Sequence, residues 1–325
     1  MQLTAKANTI CLLEILKEYS DCDNILKMSD IIHKMGHDYG LSIDRRTVYS
    51  CVAVLTELGY DISIPDENDG QGYYLESREF DVSEVRLLTD SIYSNPGITG
   101  VHSEQLIKKL QKMLPKNKRH KYRNLSDANA GRKTDNKKVF LNIDYLDAAI
   151  GKRKKVEFTY MKYDFDKRLR PRRKAKYVVS PYEMVAANEH YYLLCKCDSH
   201  DASVSQFRID KMTDVSITDG EYISAPVDFS PKRYRDHSIF MYGGEVGQAI
   251  IRCENHMLDQ VIDRFGQGIK IAPNDDGKTF DMTVTGSLEG LGYWAGHYID
   301  CCEVIGPQSM RESVIEKIRH NKYNV

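Results

Sequence analysis

Apolar positions recur at helical spacing through the first sixty residues. Leu12, Ile15, Leu16 and Tyr19 form one stripe and predict a helix over residues 8–19. A second stripe, Ile32, Met35 and Tyr39, starts behind a capping Ser29 and stops before Gly40, a residue suited to the left-handed backbone of a helix end. Only Leu41 and a capping Ser42 separate it from a third helix that buries Val48, Cys51, Val52 and Leu55. Two strand-like runs follow, Tyr60–Ile64 and Gly72–Leu75, around the turn-rich PDENDGQ. Helical spacing returns in Phe80–Tyr93 (Val85, Leu88, Ile92) and in Ser103–Leu114 (Leu106, Ile107, Leu110, Met113). Pro115–Lys138 is polar, basic and rich in turn formers, and reads as a linker.

Beyond the linker the period changes. Asn142–Ile150 predicts one more helix, and five short strands follow: Lys155–Tyr160, Tyr177–Ala186, His190–Cys195, Ser203–Ile209 and Thr213–Thr218. A helix leading into five short strands suggests a small, strongly bent sheet or barrel. The last third alternates: strand Gln248–Glu254, helix Leu258–Phe265, hairpin strands Ile269–Ala272 and Thr279–Thr285, helix Leu288–His297, strand Ile299–Ile305. That is the βαββαβ order of a ferredoxin-like domain. A final helix opens at Pro307 and is expected to bury Met310, Val314, Ile315 and Ile318.

With 325 residues, 41% of them hydrophobic and 29% charged, the composition is that of a multidomain globular protein. No apolar run is long enough to span a bilayer, and eight cysteines without a CxxC pattern fit reduced thiols in a cytoplasm. The net charge of −1 conceals segregation. Residues 1–77 carry 6 Lys+Arg against 13 Asp+Glu, net −7; residues 105–138 carry 12 against 2, net +10; residues 152–176 carry 12 against 3, net +9. Local fields of this kind matter more to a polyanion than the total.

On the third helix, Arg45, Arg46, Tyr49 and Ser50 lie near the N-terminal end on the face opposite the apolar stripe, where a helix offers side chains to base edges in a major groove. The stretch IDRRTVYSCVAVLTELGYDI followed by GYYL resembles the winged helix-turn-helix of bacterial transcriptional regulators, and the resemblance implies duplex DNA as a partner. Lys34 joins those four as a candidate DNA contact. Because the head is acidic, affinity must come from a dimer, from a small patch at Lys34, Arg45 and Arg46, or from basic segments downstream. The plain alternative is a three-helix packing unit with solvated arginines.

VEFTY with VVSPYEMV, HYYLLC and QFRIDKM together resemble the WYL domain, a small Sm-like barrel of bacterial regulators, with Tyr191, Tyr192 and Leu193 at the naming tripeptide. Tyr191 replaces the tryptophan, Val178 stands where such domains often have arginine, and Lys211 replaces another arginine. The resemblance implies a sensor of nucleic-acid or nucleotide ligands that controls an attached DNA-binding head. The residues themselves fit that chemistry: Arg172, Arg173, Lys174, Lys176, Arg208 and Lys211 supply charge, and Tyr160, Tyr163, Tyr182 and Tyr191 supply stacking faces. The candidate ligand set is Tyr160, Arg173, Tyr182, Tyr191, Arg208 and Lys211. Alternation in HYYLLCKC puts Tyr191, Leu193 and Cys195 on one face and Tyr192, Leu194 and Lys196 on the other, so either tyrosine can be core. Arg208 and Asp210 share a face and can form a structural ion pair.

GYWAGHYIDCCEVIGPQSMRESVIEKI resembles the C-terminal extension that accompanies WYL domains and is associated with dimerisation. Phosphate loops, GxGxxG, GxSxG and HExxH are missing from the sequence. His190, Cys195, Cys197 and His200 are close in sequence, but a strand puts both cysteines in one apolar row, so they read as core rather than metal ligands. His33 and His37 are surface residues, and Cys301 and Cys302 point to opposite faces of a strand.

The expected architecture is a multidomain α+β chain: winged helix-turn-helix (1–77), helical connector and basic linker (78–139), Sm-like β-barrel (140–222) and ferredoxin-like dimerisation domain (223–325). The expected function is a cytoplasmic, homodimeric, ligand-responsive transcriptional regulator, without cofactor, metal or catalytic residues. A nucleic-acid-processing enzyme with a winged-helix clamp and a protein-interaction adaptor are the alternatives.

Overall fold

A computed structural model describes residues 7–119, 133–200, 202, 204–231, 234 and 245–322. Most of the basic run 115–138 and the expected strand start at Ser203 lie outside the described residues. The protein is multidomain α+β and divides into two compact units, residues 1–135 and 136–325.

In the first unit, α1 (Asn8–Tyr19), α2 (Met28–Tyr39) and α3 (Arg45–Glu57) pack around Leu12, Ile15, Leu16, Ile31, Met35, Val48 and Leu55. The caps differ from expectation. Helix α2 is capped at Lys27, whose N–H donates to Asp30 Oδ2 at 3.1 Å, so Ser29 sits inside the first turn. Helix α3 is capped by Asp44 rather than Ser42: Oδ1 of Asp44 accepts from the N–H and the hydroxyl of Thr47, at 2.8 and 2.7 Å. Gly40 ends α2 with φ 67°.

A two-stranded antiparallel ribbon follows, β1 (Ile62–Ser63) and β2 (Tyr74–Leu75). Tyr73 and Leu26 exchange backbone hydrogen bonds of 2.8 and 2.9 Å, which tie the ribbon to the segment between α1 and α2. That approach requires Gly72, with φ +147°: a Cβ there would stand 2.3 Å from the Leu26 carbonyl oxygen. Helices α4 (Val82–Ser94) and α5 (Gly100–Gln111) pair next. Thr99 accepts from the N–H of His102 and so starts α5 three residues before the expected Ser103. Val85 and Ile107 are buried, whereas Leu88, expected on the apolar stripe, is 39% exposed.

The second unit begins with α6 (Val139–Gly151), then β3 (Lys155–Tyr163), β4 (Leu169–Pro171), β5 (Tyr177–Ala187), β6 (His190–Cys197), β7 (Ser205–Arg208), a 3-10 turn (Ile209–Lys211) and β8 (Met212–Thr218). The antiparallel order is β4-β3-β5-β6-β7, and β8 pairs back onto β3, so the sheet curls into a half-barrel. Register breaks at Glu157/Thr159 and Pro181/Glu183 bend the strands. The concavity is filled by Phe158, Val179, Leu193, Cys195, Phe207 and Met212 beneath Leu146 and Ala149 of α6.

The rest comprises β9 (Val246–Glu254), α7 (Leu258–Phe265), β10 (Lys270–Pro273), β11 (Thr279–Ser287), α8 (Leu288–His297), β12 (Cys302–Gly306) and α9 (Gln308–Arg319). The strands lie in the antiparallel order β10-β11-β9-β12 over a core of Ala249, Ile251, Cys253, Met282, Leu291 and Trp294. Ile299–Cys301 form a turn rather than the expected start of the strand, and β12 opens at Cys302. On α9, Met310 is buried, Val314 and Ile315 are half-buried, and Ile318 is 37% exposed, contrary to the expected stripe. Among the described residues no helix is long and apolar enough to cross a membrane.

Candidate functional site

The hairpin β6–β7 pairs Tyr192 with Arg208 and Leu193 with Phe207. Leu193 and Phe207 face the main core, so Tyr192 and Arg208 leave the sheet on its other side. Arg208 ends β7 and forks onto Asp210, Nε at 3.0 Å and a terminal nitrogen at 2.7 Å. Its backbone N–H donates to the Tyr160 hydroxyl of β3 at 3.3 Å. The turn that carries these groups is clamped from α6 and its leader. Asn136 donates to the carbonyls of Asp210 (3.0 Å) and Met212 (2.7 Å), and the buried Asn142 donates to Met212 at 2.9 Å.

The electrostatics follow from partial burial. Desolvation opposes the Arg208 charge, but the hydrogen bonds and charge of Asp210, itself only 6% exposed, outweigh it and raise the Arg208 pKa. Lys211 stands with Nζ 5.5 Å from the Tyr163 ring centre; burial first, then the Arg208 charge, hold its pKa below the usual lysine value. Burial, then Arg208, likewise hold His190 below 6.5, and its Nδ1 is buried without a hydrogen-bond partner. Burial pushes the Tyr160 and Tyr192 hydroxyls up. Two cations, the His190 imidazole, the Tyr160 hydroxyl and the half-buried Tyr192 ring thus stand at one edge of the half-barrel, with the Tyr160 ring itself turned into the core against Phe158 and Phe207 and Tyr192 packed in part on Val185 and Leu194. This arrangement suits an anion that also carries a flat apolar face.

Of the candidate ligand residues, Arg208, Lys211 and the hydroxyl of Tyr160, whose ring packs on the main core, come together here. Arg173 does not: its guanidinium lies 3.6 Å from the Tyr177 ring centre and donates to Ala175 O, Lys176 O and Ser199 Oγ at 3.1, 2.9 and 2.8 Å. Tyr182 also stands elsewhere, buried, with its hydroxyl on Ser224 O at 3.2 Å and its ring against Tyr222 and Phe229. Tyr191 packs on the Leu193 core. Tyr192 and His190, named in the sequence but outside the candidate ligand set, also stand at this edge; the alternation in HYYLLCKC marked Tyr192's face, but the partner on that face depends on hairpin register. Cys195 and Cys197 are fully buried in the core, and burial raises the Cys195 thiol pKa well above normal.

In the first unit Arg45, Arg46, Tyr49 and Ser50 share an exposed face at the start of α3. Tyr49 hydrogen-bonds the Tyr73 side chain; burial first, and then Tyr49, push the Tyr73 hydroxyl up to about 12. Lys34 is turned against α1, with Nζ 3.6 Å from the Tyr19 ring centre.

Residues 142–217, from α6 through most of β8, match the WYL domain family, so the protein carries a WYL domain. Among solved structures the chain is similar to the proteasome accessory factor B/C (PafBC) of Arthrobacter aurescens, at 17% identity and TM-score 0.29 over 97% of this chain and 47% of that one. It is also similar to a CRISPR Cas-related protein, at 12% identity and TM-score 0.39 over 97% of this chain and 84% of that one. The chain therefore spans about half the length of PafBC. No curated protein matches it.

Proposed function

We propose that the protein is a ligand-responsive transcriptional regulator, a binder rather than a catalyst, in which the WYL domain senses a nucleotide or short single-stranded nucleic acid. The observation that carries this reading is the meeting of Arg208 and Lys211 with Tyr160 and Tyr192 at one edge of that domain. Phosphate oxygens would engage the cations and a base would stack on tyrosine, a contact worth about 1–3 kcal/mol per base. A carboxylate needs a single cationic fork; the surplus of nine positive charges in residues 152–176 favours a polyanion instead.

Three helices followed by a ribbon support a winged helix-turn-helix in residues 1–77, with α3 as the helix that enters duplex DNA. The strand order β10-β11-β9-β12 supports a ferredoxin-like C-terminal domain. An acidic head offers few phosphate contacts, so the working form is a homodimer joined through residues 223–325, with an inverted-repeat operator. Ligand occupancy must then favour one arrangement of the heads, because equal affinity for both switches nothing.

The test is fluorescence anisotropy of labelled single strands with the full chain. Saturable binding that weakens steeply with salt and is lost in Arg208→Ala supports the assignment; no binding at low salt rejects it. The net −7 head favours one rival, an adaptor that binds protein, and salt-dependent retention of duplex DNA excludes that rival.

A further inference from the structure

Away from the WYL domain, three metal-ligand side chains of different chemistry converge. Glu254 ends β9, His256 lies in the 3-10 turn Asn255–Met257, and Cys301 precedes β12. One carboxylate oxygen, one ring nitrogen and the thiol sulfur all lie within 4.8 Å of one another. Register explains the convergence. Cys302 pairs with Cys253, which places Cys301 beside Glu254, and the Glu254 N–H donates to Cys301 O at 3.0 Å. Alternation sends Cys253 and Cys302 inward, with sulfurs 3.5 Å apart, and leaves Glu254 on the opposite face. The turn then folds His256 back so that Nδ1 is 3.3 Å from Glu254 Oε2. The nearest cation along the strand, Arg252, is diverted by Asp281, which accepts from it at 2.7 and 3.0 Å.

We propose that Glu254, His256 and Cys301 form a transition-metal site that takes Zn²⁺, with water in the fourth position. A mixed nitrogen, sulfur and oxygen donor set disfavours Mg²⁺ and Ca²⁺, which prefer all-oxygen shells. Zinc bond lengths of about 2.0–2.3 Å correspond to donor spacings of about 3.5 Å in a tetrahedron. Glu254 and His256 already stand at that spacing, and any wider pair lies within 4.8 Å, a gap that rotamer adjustment of the exposed Glu254 and His256 can close. The carboxylate and the thiolate together neutralise the dication. Binding forms the Zn–S bond as the Cys301 thiol releases its proton to solvent and zinc-bound waters leave, with no change of oxidation state. The ion would tie the end of β9 to the turn that enters β12.

The experiment titrates the reduced, full-length protein with Co²⁺, a coloured stand-in for Zn²⁺. One equivalent should produce a thiolate-to-cobalt charge-transfer band in the near ultraviolet that Zn²⁺ then bleaches. Cys301→Ser should abolish the band, Cys302→Ser should leave it, and His256→Ala and Glu254→Gln should each lower affinity at least about tenfold. Circular dichroism confirms that each variant is folded. No band in the wild-type protein, a band that survives Cys301→Ser or vanishes with Cys302→Ser, or wild-type affinity in the His256 and Glu254 variants overturns the site.

Discussion

Tyr192 and Arg208 are direct partners across the β6–β7 hairpin, and both leave the sheet on the face away from Leu193 and Phe207. A ring stacked on Tyr192 would therefore lie beside the guanidinium that meets its phosphate. Tyr191, one residue away, packs on the main core, and Tyr192 packs in part on the smaller cluster of Val185 and Leu194, so its truncation also carries a folding cost. Tyr192→Ala should weaken oligonucleotide binding by about 1–3 kcal/mol, whereas Tyr191→Ala should act mainly on folding. Anisotropy and denaturant unfolding on both variants separate the two effects; equal binding losses would refute the division.

The fork between Arg208 and Asp210 is both scaffold and site. Arg208→Ala leaves the nearly buried Asp210 carboxylate without its partner and should cost about 1–3 kcal/mol of stability. Changing both residues to alanine should cost less than the sum of the two single changes. Urea unfolding of the four proteins closes the cycle, and strict additivity would mean that the pair is uncoupled.

Gly72 makes the ribbon possible through a backbone approach that no side chain tolerates. With φ at +147° and a methyl carbon there falling 2.3 Å from Leu26 O, Gly72→Ala should cost more than about 1 kcal/mol. The loss should be accompanied by faster amide exchange at Tyr73 and Leu26, whose mutual hydrogen bonds would part. A variant with wild-type unfolding midpoint contradicts this.

Much of the helical framework was legible because its signals are local: the stripes Leu12–Tyr19 and Val48–Leu55 need no partner to be read. Caps were less so, since Ser42 and Asp44 are both competent and only geometry shows which oxygen meets the Thr47 N–H. Strand β4, three residues reading LRP, has no alternation to find. Arg208 and Lys211 stood out by charge. Arg173 stood out equally, and nothing nearby in the chain shows that Ser199 and the Tyr177 ring occupy it.

Arg45 and Arg46 open α3 on an exposed face with Tyr49 and Ser50. Replacing either arginine should weaken promoter binding by about 1–3 kcal/mol where it reaches a base, and should flatten the salt dependence where it meets phosphate. A gel shift of the native promoter at two salt concentrations reads both effects. Wild-type binding by the Arg45→Ala, Arg46→Ala protein would remove α3 from the DNA interface.

His190 supplies a pH dependence of predictable sign. Burial lowers its pKa from 6.5, Arg208 and Lys211 lower it further, and Asp210 and Glu189 partly offset them. Between the depressed native value and 6.5 the unfolded chain holds a proton that the folded protein lacks. Stability from this group is therefore present above 6.5 and is lost as pH falls through that window. A phosphate bound beside Arg208 would do the reverse to the imidazole, favouring its protonated form, so ligand binding should tighten as pH falls from about 7.5 to about 5.5. The two trends oppose each other, which separates them from a general acid effect. Urea unfolding and anisotropy across this range, on wild type and His190→Gln, measure both; slopes that persist in the variant would assign them to other groups.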